Sequence, residues 1–160
     1  FLTDEKLNNF DTRYKVMPPL RNKTDNKALI KALRDDTIDV ITSDHTPQDE
    51  EHKKIEFNNA ANGIIGLETA FGLLGKYVLP EIELTKLIEK IAINPRKILQ
   101  IRNINIEEGE KANITLFDPE KKWRFTKKDI KSKCINTPFI GEELKGKALA
   151  IYNNNKFKKC

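Results

Sequence analysis

The chain has 160 residues, with 29 Lys and Arg against 24 Asp and Glu, for a formal net charge of +5. The excess is diluted by mixed signs, as in "EKKWRFTKKDIKSK". A nucleic-acid partner would need a one-sided basic stripe with interleaved aromatics, so this composition argues against one. No stretch approaches the ~20 apolar residues that span a bilayer, which argues against a membrane protein. No secretory signal is visible. Cys134 and Cys160 make no paired framework, which fits a reducing cytoplasm. The sequence opens on Phe1 in mid-phrase, "FLTDEKL", and so reads as a piece of a longer chain.

"RYKVMPPLR" (13–21) reads as extended and is then broken by Pro18 and Pro19. "TDNKALIKALRD" (24–35) predicts a helix, capped by Thr24 or Asp25, with Ala28, Leu29, Ala32 and Leu33 at helical spacing. "TIDVITSD" (37–44) predicts a strand whose continuous apolar run suits burial on both faces. A polar loop, "HTPQDEEHKKIEFNNAANG" (45–63), follows, and loops that long are usually functional or disordered. A helix is predicted over 66–78, stopped by Pro80, and another over 83–101 with a break at Asn94-Pro95. Strand, long loop and helix make the βα pattern of a parallel α/β fold.

The character changes after Ile101. "INIEEGEKANITLFDPEKKWRFT" alternates short apolar runs with turns at Glu108-Gly109 and Asp118-Pro119. "GKALAIYNNNKF" (146–157) predicts a hairpin turning through Asn153, Asn154 and Asn155. Two units are therefore expected, a βα region over 1–105 and a β segment over 106–160.

Chemistry concentrates in "DVITSDHTPQDEE" (39–51), where Asp44 and His45 sit at the end of the apolar run. In parallel barrels the active site lies at the C-terminal ends of the strands. A carboxylate there can bind a metal ion or take a proton from water. The competing reading is a polar turn, with Asp44 capping it and His45 solvated. His52 reads as a solvated loop histidine, Cys134 as an inert small residue and Trp123 as packing within the β segment. Arg21 suits either an anionic ligand or a pair with Asp25.

"KVMPPLR" (15–21), "IDVITSDHTP" (38–47), "NGIIGLETAFGLL" (62–74), "INPRKIL" (93–99), "EGEKANITLFDP" (108–119) and "SKCINTPFIGEELKGKALA" (132–150) together resemble the C-terminal half of dihydroorotases. The resemblance runs in order along nearly the whole chain. It implies the last βα units of a metal-dependent amidohydrolase (β/α)8 TIM barrel, followed by part of a small β-sandwich. It implies reversible closure of N-carbamoyl-L-aspartate to dihydroorotate in pyrimidine synthesis. Zn2+, one or two ions, would be the cofactor, with most ligands (a His-x-His, a carboxylated Lys and two further His) upstream of these residues. Asp44 would be both metal ligand and proton shuttle. Met17, Gln48, Asn62 and Gly63 would fall at the substrate, the last two mainly through backbone.

Two of these positions depart from the family pattern. Met17 stands where members usually carry Asn, and Gln48 where they carry His. Met has no donor, and Gln brings no positive charge. The departures keep two alternatives open: a non-catalytic dihydroorotase-like subunit partnering aspartate carbamoyltransferase, and another cyclic amidohydrolase of the allantoinase or hydantoinase kind. A homo-oligomer is the other assembly that the resemblance implies.

Overall fold

Asn22 starts the first long helix. Its side-chain oxygen accepts from the backbone N–H of Asp25 at 2.9 Å, so the cap lies just upstream of the expected Thr24 or Asp25. The computed structural model describes residues 1–160, and in it α1 spans Lys23–Arg34. Arg21 pairs with Asp25 at 3.3 Å. Leu33 of α1 meets Val78, Ile82 and Leu87 in a first apolar cluster, flanked by Ile30, Ile38 and Ile41.

The segment predicted as a strand over 37–44 forms no strand and no ladder. A parallel strand needs neighbours to take up its slanted hydrogen bonds. Here the chain provides one parallel bridge, His45 to Ile64, and two isolated backbone bonds, Ile38 N to the Ala32 carbonyl at 3.0 Å and Ile41 N to the Lys90 carbonyl at 3.1 Å. The segment is anchored instead by side chains. The buried Lys90 Nζ donates to Asp36 Oδ1 at 2.7 Å and to the Ile38 carbonyl at 2.6 Å.

Helix α2 (Glu50–Lys53) interrupts the polar loop, and α3 spans Ala70–Tyr77. The predicted break at Asn94-Pro95 is not a stop. Helix α4 (Leu84–Ile88) passes through a π turn at Glu89–Ile93 into α5 (Asn94–Ile98). Proline has no N–H, and its ring crowds the carbonyl four residues back. Widening the turn ahead of Pro95 lets the helix continue, with Asn94 N reaching back to Glu89 O.

The tail is one antiparallel sheet of β1 (Ile114–Arg124), β2 (Glu143–Asn153) and β3 (Lys156–Lys159), in that order. Asp118 Oδ1 accepts from Glu120 N and Lys121 N, and the β1–β2 register shifts between Asp118 and Lys122. The hairpin turns through Asn154 and Asn155, both at positive φ (50° and 57°), which the type I′ turn requires. Trp123 stands edge-on to Phe125 and donates Nε1 to the Gly146 carbonyl at 3.0 Å.

The expected sandwich segment is thus a single sheet. Its covered part lies on α3, where Leu73 joins Phe125, Phe139 and Leu144 in a second cluster. Its hairpin end leaves Ile114, Leu116 and Phe157 exposed. Helix α3 touches both clusters, with Leu73 in the second and Leu74 packed against the first.

Candidate active site

Asp44 ends the segment 37–44 at φ 44°, in the left-handed region that aspartate tolerates better than most residues. Thr46 Oγ1 donates to its carbonyl at 3.0 Å. The Asp44 carboxylate itself has no hydrogen-bond or ion-pair partner in the chain. Asp44 lines a largely apolar hollow of about 710 Å³, together with Val40, Ser43, Ile64, Gly66 and Leu67.

His45 is engaged rather than solvated. Its Nδ1 accepts from the backbone N–H groups of Gly66 at 3.1 Å and Leu67 at 3.3 Å. Nε2 therefore carries the proton, facing Ser132 Oγ at 3.4 Å. Ser132 donates onward to Glu68 Oε1 at 2.6 Å, and the backbone N–H groups of Lys131 and Ser132 add two more bonds to that oxygen. Burial is the largest single effect on the Glu68 carboxyl and pushes its pKa up, but these donors together hold it below the ordinary value. The other oxygen, Oε2, is buried without a partner. His52 is solvated as expected and pairs with Asp49 at 2.6 Å.

Gln48, Asn62 and Gly63 come together. Gln48 Nε2 donates to the Asn62 carbonyl at 3.1 Å, and Gln48 N donates to Asn136 Oδ1 at 3.1 Å. Gly63 sits at φ 134°, and a Cβ there would fall 2.7 Å from Thr46, so only glycine fits. Gln48 lines a second cleft of about 830 Å³ beside Arg13, Lys53 and Asn136, not the hollow of Asp44. Met17 is 66% exposed and, like Asn62 and Gly63, lines neither.

Two residues at this site gave no local signal in the sequence. Lys53, in "DEEHKK", looks exposed but is only 5% so. Burial lowers its pKa, and the charge of Lys15 adds to that effect. Asn136, in "CINTPF", is 7% exposed and bonds to residues about ninety positions away.

No three His, Cys, Asp or Glu side chains gather as a metal centre would require. A zinc site takes three or four protein ligands. The free carboxylate of Asp44 would be one such ligand, and the residues around it do not complete a site.

The model of the amidohydrolase family matches residues 7–149. The chain belongs to the amidohydrolase family. Among its amidohydrolase relatives, a dihydroorotase of Clostridium acetobutylicum is 43% identical over 155 residues, covering 95% of this chain and 37% of the relative. A dihydroorotase of Caldicellulosiruptor saccharolyticus is 40% identical over 160 residues, covering 99% and 37%. The chain therefore spans about a third of the length of the curated relatives it matches. A D-hydantoinase (dihydropyrimidinase) from Thermus sp. superposes with a TM-score of 0.78 at 27% identity, over 91% of this chain and 33% of that one. An L-hydantoinase (dihydropyrimidinase) from Arthrobacter aurescens shares the fold, with a TM-score of 0.79 at 21% identity over 98% and 36%.

Proposed function

We propose that this chain is the C-terminal part of a dihydroorotase-type amidohydrolase. It would carry the last βα units of the barrel and one sheet of a small sandwich, whose second sheet would cover Ile114, Leu116 and Phe157. The whole protein would work in the cytoplasm on a small cyclic amide. Water would open dihydroorotate at its ring amide to N-carbamoyl-L-aspartate, and the reverse reaction would release that water. A bound zinc ion would polarise the carbonyl and acidify the attacking water.

Asp44 would ligate the ion with its free carboxylate. It would also take the proton from water and hand it to the ring nitrogen as the C–N bond breaks. Asn62 and Gly63 would meet the substrate through backbone, with Met17 and Gln48 at its edge. The observation that carries this reading is a carboxylate without any partner, held by a left-handed backbone at the rim of a hollow. It is supported by 40–44% identity to dihydroorotases.

The test is dihydroorotate hydrolysis by the full-length protein and its Asp44→Asn variant. Asparagine keeps the shape and the left-handed preference but cannot accept the proton. Turnover should fall by about 10²–10⁴ with the fold unchanged. Equal turnover would remove Asp44 from the reaction. The likeness to hydantoinases favours a second substrate, hydantoin, which the same assay compares. The departures at Met17 and Gln48 favour a third reading, a partner subunit of aspartate carbamoyltransferase, for which neither turnover nor bound metal is expected.

A further inference from the structure

The loop 45–63 is polar, long and poor in regular structure, yet its far end is held tightly. Three consecutive carbonyls each meet a side-chain donor. Ala61 O accepts from Lys53 Nζ at 2.9 Å, and Asn62 O from Gln48 Nε2 at 3.1 Å. Gly63 O accepts from both Lys53 Nζ and Asn136 Nδ2, each at 3.2 Å. Asn136 also reaches the other end of the loop, donating to Thr46 O at 3.0 Å and accepting from Gln48 N at 3.1 Å. Its own carbonyl takes the N–H of Ile65 at 3.1 Å. One asparagine from the tail thus holds both ends of a loop on the βα region.

Lys53 is buried with no carboxylate within ion-pair distance. Burying an ammonium is costly, and an apolar side chain would fill that volume at less cost. What the amine adds is direction, because a trans peptide points its N–H away from its carbonyl. With Ala61 O turned toward Lys53, the Asn62 N–H faces the other way and has no partner in the chain, whereas Gly63 N already donates to the Lys15 carbonyl at 3.0 Å.

We propose that Asn136 and Lys53 are positioning residues. They fix the 61–62 and 63–64 peptide planes on either side of Asn62, so that its free backbone N–H is preset to meet substrate. The proposal rests on the reading of Asn62 and Gly63 as substrate contacts.

The experiment compares full-length wild type, Asn136→Ala, Lys53→Met and the control Thr137→Ala. Thr137 is equally buried and adjacent, but it bonds only within its own turn, to Phe139 N. Steady-state kinetics with dihydroorotate are paired with deuterium uptake of peptides covering 45–48 and 60–65, and with metal content. For Asn136→Ala and Lys53→Met we expect KM to rise tenfold or more, kcat to stay within about threefold and bound metal to be unchanged. Uptake should be faster at both loop ends for Asn136→Ala and at 60–65 for Lys53→Met. Removing uniform binding gives that KM-weighted split. Thr137→Ala should match wild type in KM and uptake.

Unchanged uptake, or faster uptake with unchanged KM, overturns the proposal. If Asn136→Ala does not fold, Lys53→Met decides it alone. A wild type without turnover on dihydroorotate or hydantoin overturns the proposed function and, with it, the substrate part of this inference. The uptake data then judge the loop anchoring by itself.

Discussion

Gly75 of α3 and Lys145 of β2 touch backbone to backbone: a Cβ on Gly75 would lie 1.9 Å from the Lys145 carbonyl oxygen. Nothing flexible can move aside there. Gly75→Ala must push the helix off the sheet, and overpacking of this kind costs typically ~1–3 kcal/mol, occasionally more. We expect this variant at the upper end of that range, read as a lowered midpoint in denaturant. A midpoint within error of wild type would show that helix and sheet do not sit this close.

A second prediction concerns acid. Lys86 and Lys90 hold the Asp36 carboxyl down to about 2, from an ordinary 3.8. A depressed carboxylate stabilises the fold fully above its unfolded pKa and loses that contribution as pH falls through the folded one. Asp36 has φ 64°, a conformation asparagine also accepts, so Asp36→Asn removes charge without straining the backbone. The stability gap between wild type and Asp36→Asn should be constant above about pH 5 and close as pH falls toward about 2. A gap independent of pH would rule out this ion pair as its source.

His45 should prove replaceable by asparagine but not by alanine. Its Nδ1 is the acceptor for the N–H groups of Gly66 and Leu67. Alanine leaves both donors unmatched, at ~1–3 kcal/mol for each that stays buried. The amide oxygen of asparagine can take the same place. Chemical denaturation should rank wild type, His45→Asn and His45→Ala in falling stability. Equal loss in both variants would mean that the ring's bulk matters, not its nitrogen.

The helices were legible because their signals are local. The spacing of Ala28, Leu29, Ala32 and Leu33 needs nothing beyond α1, and the asparagine run that makes the hairpin turn needs only its own φ angles. The segment 37–44 reads as a strand from its β-branched run, but a ladder depends on neighbours that sequence spacing does not supply. Pro95 reads as a break because propensity says nothing of a π turn. Asp44 stood out as a carboxylate after an apolar run. Lys53 and Asn136 were invisible, since their burial is created by carbonyls from distant segments.

In the whole protein, Met17→Asn together with Gln48→His should raise kcat/KM for dihydroorotate by tenfold or more. Each hydrogen bond to a charged substrate group is worth roughly 1.5–3 kcal/mol, so two of them set a ceiling of about two to four powers of ten. No gain in a protein that binds metal and turns over would take both residues out of substrate recognition.

Helix α3 gives Leu73 to one apolar cluster and packs Leu74 against the other, four residues before Val78. It therefore acts as the joint through which the two halves share their cooperativity. Cutting the chain in the exposed stretch between α5 and β1 should not yield two autonomous pieces. Whichever piece kept α3 would expose the contacts made for the other, so the βα region and the sheet must melt in one transition and be inherited as one unit.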